Sequence, residues 1–322
     1  MNPNFIQYLL NLTKASNCTE IETIQSLWSG YGRIARFQLE NAPLQTVVVK
    51  FIELQQAAKH PRGWNTNFSH QRKVKSYQVE TNWYAKWSGK CTDACKIPTL
   101  IGSFSEGDNQ WIVLEDLNTN YPLRKMAITL DEVKVCLQWL ANFHVQFLMQ
   151  EPVGLWEVGT YWHLATRPDE LELIENQELK SKATAIDTIL NNCTYQTIVH
   201  GDAKLANFCF SEDGTKVAAV DFQYVGGGCG MKDVAYFLGS CMSNNELETY
   251  ETELLDYYFA ELNKAFVNKE FDFEFKALEQ EWRSMYPVAC TDFMRFLLGW
   301  MPTHQKINDY NRKMVDAVLA SL

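Results

Sequence analysis

The stretch that decides the fold runs Ile198-Val199-His200-Gly201-Asp202-Ala203-Lys204-Leu205-Ala206-Asn207. Nineteen residues after Asp202 comes Asp221, within Val220-Asp221-Phe222-Gln223. Two short apolar strands flank a loop and end in acids. Asp202 is a carboxylate able to accept a proton from an attacking hydroxyl. Asn207 and Asp221 offer an amide oxygen and a second carboxylate, hard oxygen ligands suited to Mg²⁺. Lys204 would steady a transferring phosphoryl group by its charge. Each residue also has a plainer reading, as a turn former, a loop amide or a strand end. His200 reads as structural, holding the loop through a hydrogen bond.

The set His-Gly-Asp-x-x-x-x-Asn followed by Asp-Phe-Gln resembles the small-molecule kinases: aminoglycoside phosphotransferases, choline kinases and ecdysteroid-kinase-like proteins. The last branch is the most similar. Its members carry Asp-Phe-Gln and then a glycine-bearing stretch before Asp-x-Ala-Tyr-Phe. Here these are Gly226-Gly227-Gly228-Cys229-Gly230 and Asp233-Val234-Ala235-Tyr236-Phe237. The resemblance runs from Ser29 to about Ser240 and is faint from there to Leu322. It implies an α+β, bilobal protein-kinase-like fold: a small antiparallel β lobe with one long helix, and a larger, mainly helical lobe. The expected division is 1–117 and 118–322.

The resemblance also implies where ATP and Mg²⁺ are held. Kinase-like folds pair a strand lysine, which grips the α- and β-phosphates, with a helix glutamate. Lys50, within Val47-Val48-Val49-Lys50-Phe51, is the lysine, and a lysine in so apolar a run needs a partner. Glu80 is the expected partner, and Glu53 is a poorer one because it shares the strand or its exit. Gly30 and Gly32, in Ser29-Gly30-Tyr31-Gly32, lie ahead of the strand at 33–39, where glycines let backbone N–H groups approach phosphate. Glu115 to Leu117 would be the hinge, whose backbone meets the adenine.

The chain around these motifs supports two lobes. Ala35, Phe37 and Leu39 alternate along one strand, and Thr46 to Ile52 is a second. Residues 53–68 read as a loop and 69–88 as a helix. Pro98 to Phe104 and Trp111 to Leu114 read as strands joined by the turn at 105–109. Thr129 and Glu132 form a capping box ahead of a helix carrying Val133, Leu137, Leu140, His144 and Phe147 on one face. On that face His144 reads as a satisfied core histidine. Helical pattern returns at 245–265 and 274–300.

Composition narrows the partners. The 322 residues hold 39 acids against 29 bases, a formal net charge of −10. That disfavours a nucleic-acid partner, which needs a basic face. No run approaches about 20 apolar residues, so no membrane span is expected. The N-terminus lacks the basic start of a signal peptide, and the nine scattered cysteines fit a reducing, cytoplasmic setting. Cys91 and Cys95 have no second pair at metal-ligand spacing.

Three functions compete: a small-molecule kinase, a protein kinase, and a nucleotide-binding pseudokinase or binding module without turnover. A peptide platform ending in Ala-Pro-Glu has no room, because Asp233 follows Asp221 by only 12 residues and no such motif comes after it. All four positions that pseudokinases tend to lose are present, as Lys50, Asp202, Asn207 and Asp221. The sequence thus favours an ATP-dependent phosphotransferase acting on a small-molecule hydroxyl. The acceptor stays open. Trp156, Glu157, Tyr161, Trp162, His163 and Arg167, with Trp282, Tyr286, Asp292, Phe293 and Trp300, suit a cation or an apolar alcohol, or are simply core.

Overall fold

The structure, a computed structural model, describes residues 2–27, 30–54 and 67–322. Ser29 and most of the expected 53–68 loop lie outside the described residues. The chain divides into two compact units, Met1–Lys90 with Ile97–Pro122, and Cys91–Lys96 with Leu123–Leu322.

The first unit contains α1 (Pro3–Thr13), β1 (Asn17–Ser26), β2 (Gly32–Glu40), β3 (Thr46–Glu53), α2 (Asn67–Lys86), β4 (Leu100–Glu106) and β5 (Asn109–Glu115). The strands form one antiparallel sheet in the order β1-β2-β3-β5-β4. β3 is central and buried on both faces. Its period of two sends Val47, Val49 and Phe51 into a core with Ala35, Phe37, Leu39, Trp111 and Val113. Lys50 and Ile52 take the alternate positions and are also buried.

α1 corrects the expectation of a single helix in this lobe. Asn2 caps it, accepting from the N–H groups of Asn4 at 2.9 Å and Phe5 at 3.1 Å, and Pro3 sits where its missing N–H costs nothing. Phe5 and Leu9 then pack on the sheet, with Phe5 stacked on Trp111 at 5.3 Å between ring centres. The β4–β5 hairpin is tighter than expected. Glu106 pairs with Asn109, so only Gly107-Asp108 turn the chain.

The second unit contains α3 (Leu130–Gln146), α4 (Pro168–Glu172), α5 (Gln177–Asn191), β6 (Thr197–Val199), β7 (Phe208–Phe210), β8 (Val217–Ala219), β9 (Gly226–Gly228), α6 (Met231–Cys241), α7 (Asn244–Phe266), α8 (Phe275–Trp300) and α9 (Asp309–Ser321). The Thr129–Glu132 capping box starts α3 as expected. Two short antiparallel ribbons, β6 with β9 and β7 with β8, interrupt the helices. The glycine-bearing stretch is itself β9. A Cβ on Gly226 would lie 2.2 Å from the carbonyl oxygen of Trp156, so the 156 segment passes close only because no side chain intervenes. No helix among the described residues is long and apolar enough to cross a membrane.

Candidate active site

The decisive loop runs from β6 to β7, and Asp221 follows β8. One face of α6 shapes that loop. Asp233, Tyr236 and Ser240 stand three and seven residues apart, on the same side of the helix. The Asp233 carboxylate is fully buried and accepts from the backbone N–H of His200 at 2.6 Å and of Gly201 at 3.0 Å. The Tyr236 hydroxyl donates to Asp202 Oδ1 at 3.2 Å. Ser240 Oγ accepts from the N–H of Leu205 at 2.9 Å.

His200 closes the loop from the other side. Its Nε2 donates to the carbonyl of Val220 at 3.0 Å, and its Nδ1 accepts the N–H of Asp202 at 3.2 Å. One neutral tautomer satisfies both bonds, and burial lowers the pKa of His200 below the ordinary value. The ring thereby ties Asp202 to the residue before Asp221. His144 is the buried, satisfied histidine expected, between the Tyr258 hydroxyl at 2.8 Å and Asp233 Oδ2 at 3.2 Å.

Asp202 is held at both oxygens. Oδ2 accepts from Lys204 Nζ at 3.0 Å and from Asn207 Nδ2 at 3.1 Å, while Oδ1 takes the Tyr236 hydroxyl. Burial works against the charge on Lys204, but Asp202 outweighs it and the lysine pKa is raised. Asn207 spends its amide N–H groups on Asp202, at the carboxylate and at the carbonyl oxygen 2.8 Å away. Its Oδ1 accepts from no residue among those described. The Asn207 carbonyl receives the N–H of Val220 at 3.0 Å, which brings Asp221 beside it. Asp221 adopts φ +71°, a left-handed conformation that aspartate tolerates better than most residues, and accepts from Gln223 Nε2 at 2.7 Å.

In the first unit, Lys50 Nζ lies 2.8 Å from Glu80 Oε1 and 2.7 Å from Oε2, with both side chains buried. Lys50 also lies 5.9 Å from the centre of the Tyr77 ring. Gly30 precedes β2 and Gly32 begins it, at φ +76° and +130°. Gly32 has a reason of its own: a Cβ there would meet the carbonyl oxygen of Phe51 at 2.0 Å. Glu115 accepts from the N–H and hydroxyl of Thr99 at 3.0 and 2.8 Å. Asp116 pairs with Arg36 at 2.7 Å and caps the turn that begins at Leu117.

Many of the suggested acceptor residues are core. Trp162, Trp282 and Tyr286 are buried. Trp162 Nε1 donates to Asp292 at 3.0 Å, and Trp282 Nε1 donates to the carbonyl of Tyr195 at 2.8 Å. Tyr161 and Phe293 stand nearer the loop. The Tyr161 hydroxyl donates to that of Tyr236 at 3.2 Å, and the Phe293 ring packs 4.9 Å from the Tyr236 ring. The sequence reading missed Lys306, between α8 and α9. Its ammonium lies 5.0 Å over Tyr236 and 5.5 Å over Phe293. Nothing local marks it, because it lies about a hundred residues from the motif.

A family model described as "Uncharacterized oxidoreductase dhs-27" (DUF1679) matches residues 169–321. The match extends through the C-terminal helices, beyond the last motif. Every strand pair among the described residues is antiparallel, unlike the parallel βαβ unit of dinucleotide-binding oxidoreductases. No protein of curated function matches the chain in sequence. Among solved structures, the chain is similar to a microcompartment-associated aminopropanol kinase, with 16% identity over 99% of this chain and 94% of that one and a TM-score of 0.53. An ethanolamine kinase of Plasmodium vivax has 11% identity over 95% of this chain and 83% of that one, with a TM-score of 0.49. An aminoglycoside phosphotransferase of Streptomyces rimosus, in complex with ADP and streptomycin, has 10% identity over 88% and 97%, with a TM-score of 0.48. At 16% identity the likeness to the aminopropanol kinase is one of fold, and the chain has the protein-kinase-like fold that its motifs imply.

Proposed function

We propose that this chain is an ATP-dependent kinase of a small-molecule hydroxyl, with Asp202 as the base. The observation that carries this reading is the setting of the Asp202 carboxylate. A carboxylate offers about four lone-pair directions. Lys204, Asn207 and Tyr236 occupy three. The fourth is left for the hydroxyl of an acceptor, whose proton Asp202 would take as the oxygen attacks. Lys204 balances the charge of Asp202 and stands ready to meet the charge of the transferring group.

Asn207 Oδ1 and the Asp221 carboxylate fit Mg²⁺ as oxygen donors, and they are neighbours through the Val220 N–H. When bound, Mg²⁺ would neutralise charge on the phosphates. The other assignments follow the same reading. Lys50, oriented by Glu80, would hold the α- and β-phosphates. Gly30 and Gly32 would offer backbone to phosphate, and the backbone from Glu115 to Leu117 would receive the adenine.

The test is ADP release from Mg·ATP across a library of hydroxylated metabolites, with Asp202→Asn as control. An acceptor-dependent signal lost in the variant is the expected result. Silence together with no nucleotide-dependent rise in melting temperature would overturn the reading in favour of a binding module.

A further inference from the structure

Lys306 has a peculiar setting. Its backbone is fixed on both sides: its N–H donates to His304 Nδ1 at 3.1 Å, and its carbonyl accepts from Asn311 Nδ2 at 2.9 Å. Its ammonium rests over the Tyr236 and Phe293 rings. Such a seat, with aromatic faces beside a carboxylate, attracts a positive charge. Here the chain supplies that charge itself.

The ammonium spends none of its N–H donors on the described residues. Asp202, the carboxylate whose charge it feels, already has Lys204, Asn207 and Tyr236 on its oxygens. Lys204 adds a second positive charge at Asp202, 3.0 Å from its Oδ2. An ammonium-bearing acceptor reaching for Asp202 would therefore find the aromatic seat taken and two like charges facing it. A carboxylate or phosphate on the acceptor would meet the three unspent donors.

We propose that Lys306 fills the cation seat beside Asp202 and so restricts the acceptor to alcohols that also carry an anionic group, excluding ammonium alcohols. This rests on the kinase reading and names the substrate class of that site. Three small probes share a carbon chain and hydroxyls and differ in charge: D-glycerate, glycerol and 3-amino-1,2-propanediol. Their half-saturating concentrations are measured by thermal shift on the full chain with Mg·ADP present.

Glycerate is expected to bind about tenfold or more tightly than the amine, a ratio one charge contact supplies. Lys306→Met should bring the ratio near unity, and Lys306→Glu should reverse it. Equal or tighter binding of the amine by the unmodified chain overturns the proposal, as does binding of none of the three. Equal weakening of all three probes in Lys306→Met overturns it too, because that would assign the ammonium to the nucleotide phosphates. ADP release with each probe, against Asp202→Asn, is read separately. Selective glycerate binding without ADP release would uphold the charge selection and overturn the kinase reading.

Discussion

Lys50 and Glu80 form a two-point contact out of water, Nζ lying within 2.8 Å of both carboxylate oxygens. The lysine comes from the central strand of the sheet and the glutamate from the middle of α2, thirty residues away. Breaking a buried ion pair by removing one partner costs about 3–5 kcal/mol. Glu80→Ala should therefore lower stability by that order in a urea titration. A Lys50→Met, Glu80→Leu double variant should regain most of it while binding Mg·ATP poorly. If the single variant is as stable as the unmodified chain, the pair is not a structural tie.

Asp202→Asn keeps the shape of the side chain and discards its basicity. Turnover should fall by roughly 10²–10⁴-fold, the range a positioned base supplies. The ATP concentration for half-maximal rate should change little. Steady-state ADP release with the acceptor found in the library screen decides this. Undiminished turnover would remove Asp202 from the role of base.

Asp221→Asn separates charge from backbone shape. Asparagine tolerates the left-handed conformation, so the φ of +71° survives. Calorimetric titration should show ATP binding weakened in the presence of Mg²⁺ and little altered when EDTA removes the metal. Asp221→Ala should lose both the metal affinity and some stability. Equal affinity in Mg²⁺ for all three proteins would take Asp221 out of the metal site.

Asp233→Ala would orphan the N–H groups of His200 and Gly201 and strip His144 of a partner. An unmade buried hydrogen bond costs about 1–3 kcal/mol, so a loss of several kcal/mol is expected in thermal unfolding. Ser240→Ala, which frees only the Leu205 N–H, should cost about 1 kcal/mol. Similar small losses in both variants would mean that the loop holds itself without α6.

Burial lowers the pKa of Lys306 to about 8, while the facing groups Cys241 and Asp202 raise it and Lys204 lowers it further. The unfolded value is about 10.4, so between these two pH values the unfolded chain binds more protons. The contribution of this residue to stability should therefore rise with pH across that window and level off above it. Unfolding free energies of the unmodified chain and of Lys306→Met, compared from pH 7 to 11, should diverge in favour of the former. Parallel curves would mean the lysine titrates normally. Preference for glycerate should fade over the same range as the ammonium loses its proton.

Parts of this molecule were legible from composition and spacing. A lysine within Val47-Val48-Val49 and Phe51 demanded a buried acid, and Glu80 on the next helix supplied it. The motif loop was legible because its carboxylates and amide lie at fixed, short separations. β1 was not, because nearly all its side chains are exposed and an edge strand of polar residues carries no alternation. α1 was legible in principle, since Asn2-Pro3 marks its start and Phe5, Ile6, Leu9 and Leu12 recur at helical spacing. The link from α6 to the loop was half visible. Asp233 and Tyr236 stood out in the Asp-x-Ala-Tyr-Phe motif, but nothing in the sequence tied Tyr236 or Ser240 to the loop. Lys306 was out of reach because only tertiary packing brings the 301–308 connection against Tyr236.

The single face of α6 that touches the loop at Gly201, Asp202 and Leu205 has a consequence for inheritance and for protein engineering. The loop and the helix are one transferable cassette. Grafting residues 198–207 alone into a foreign scaffold would carry the letters of the site and lose its shape. Recombination between relatives should preserve function only where the crossover falls outside 198–240.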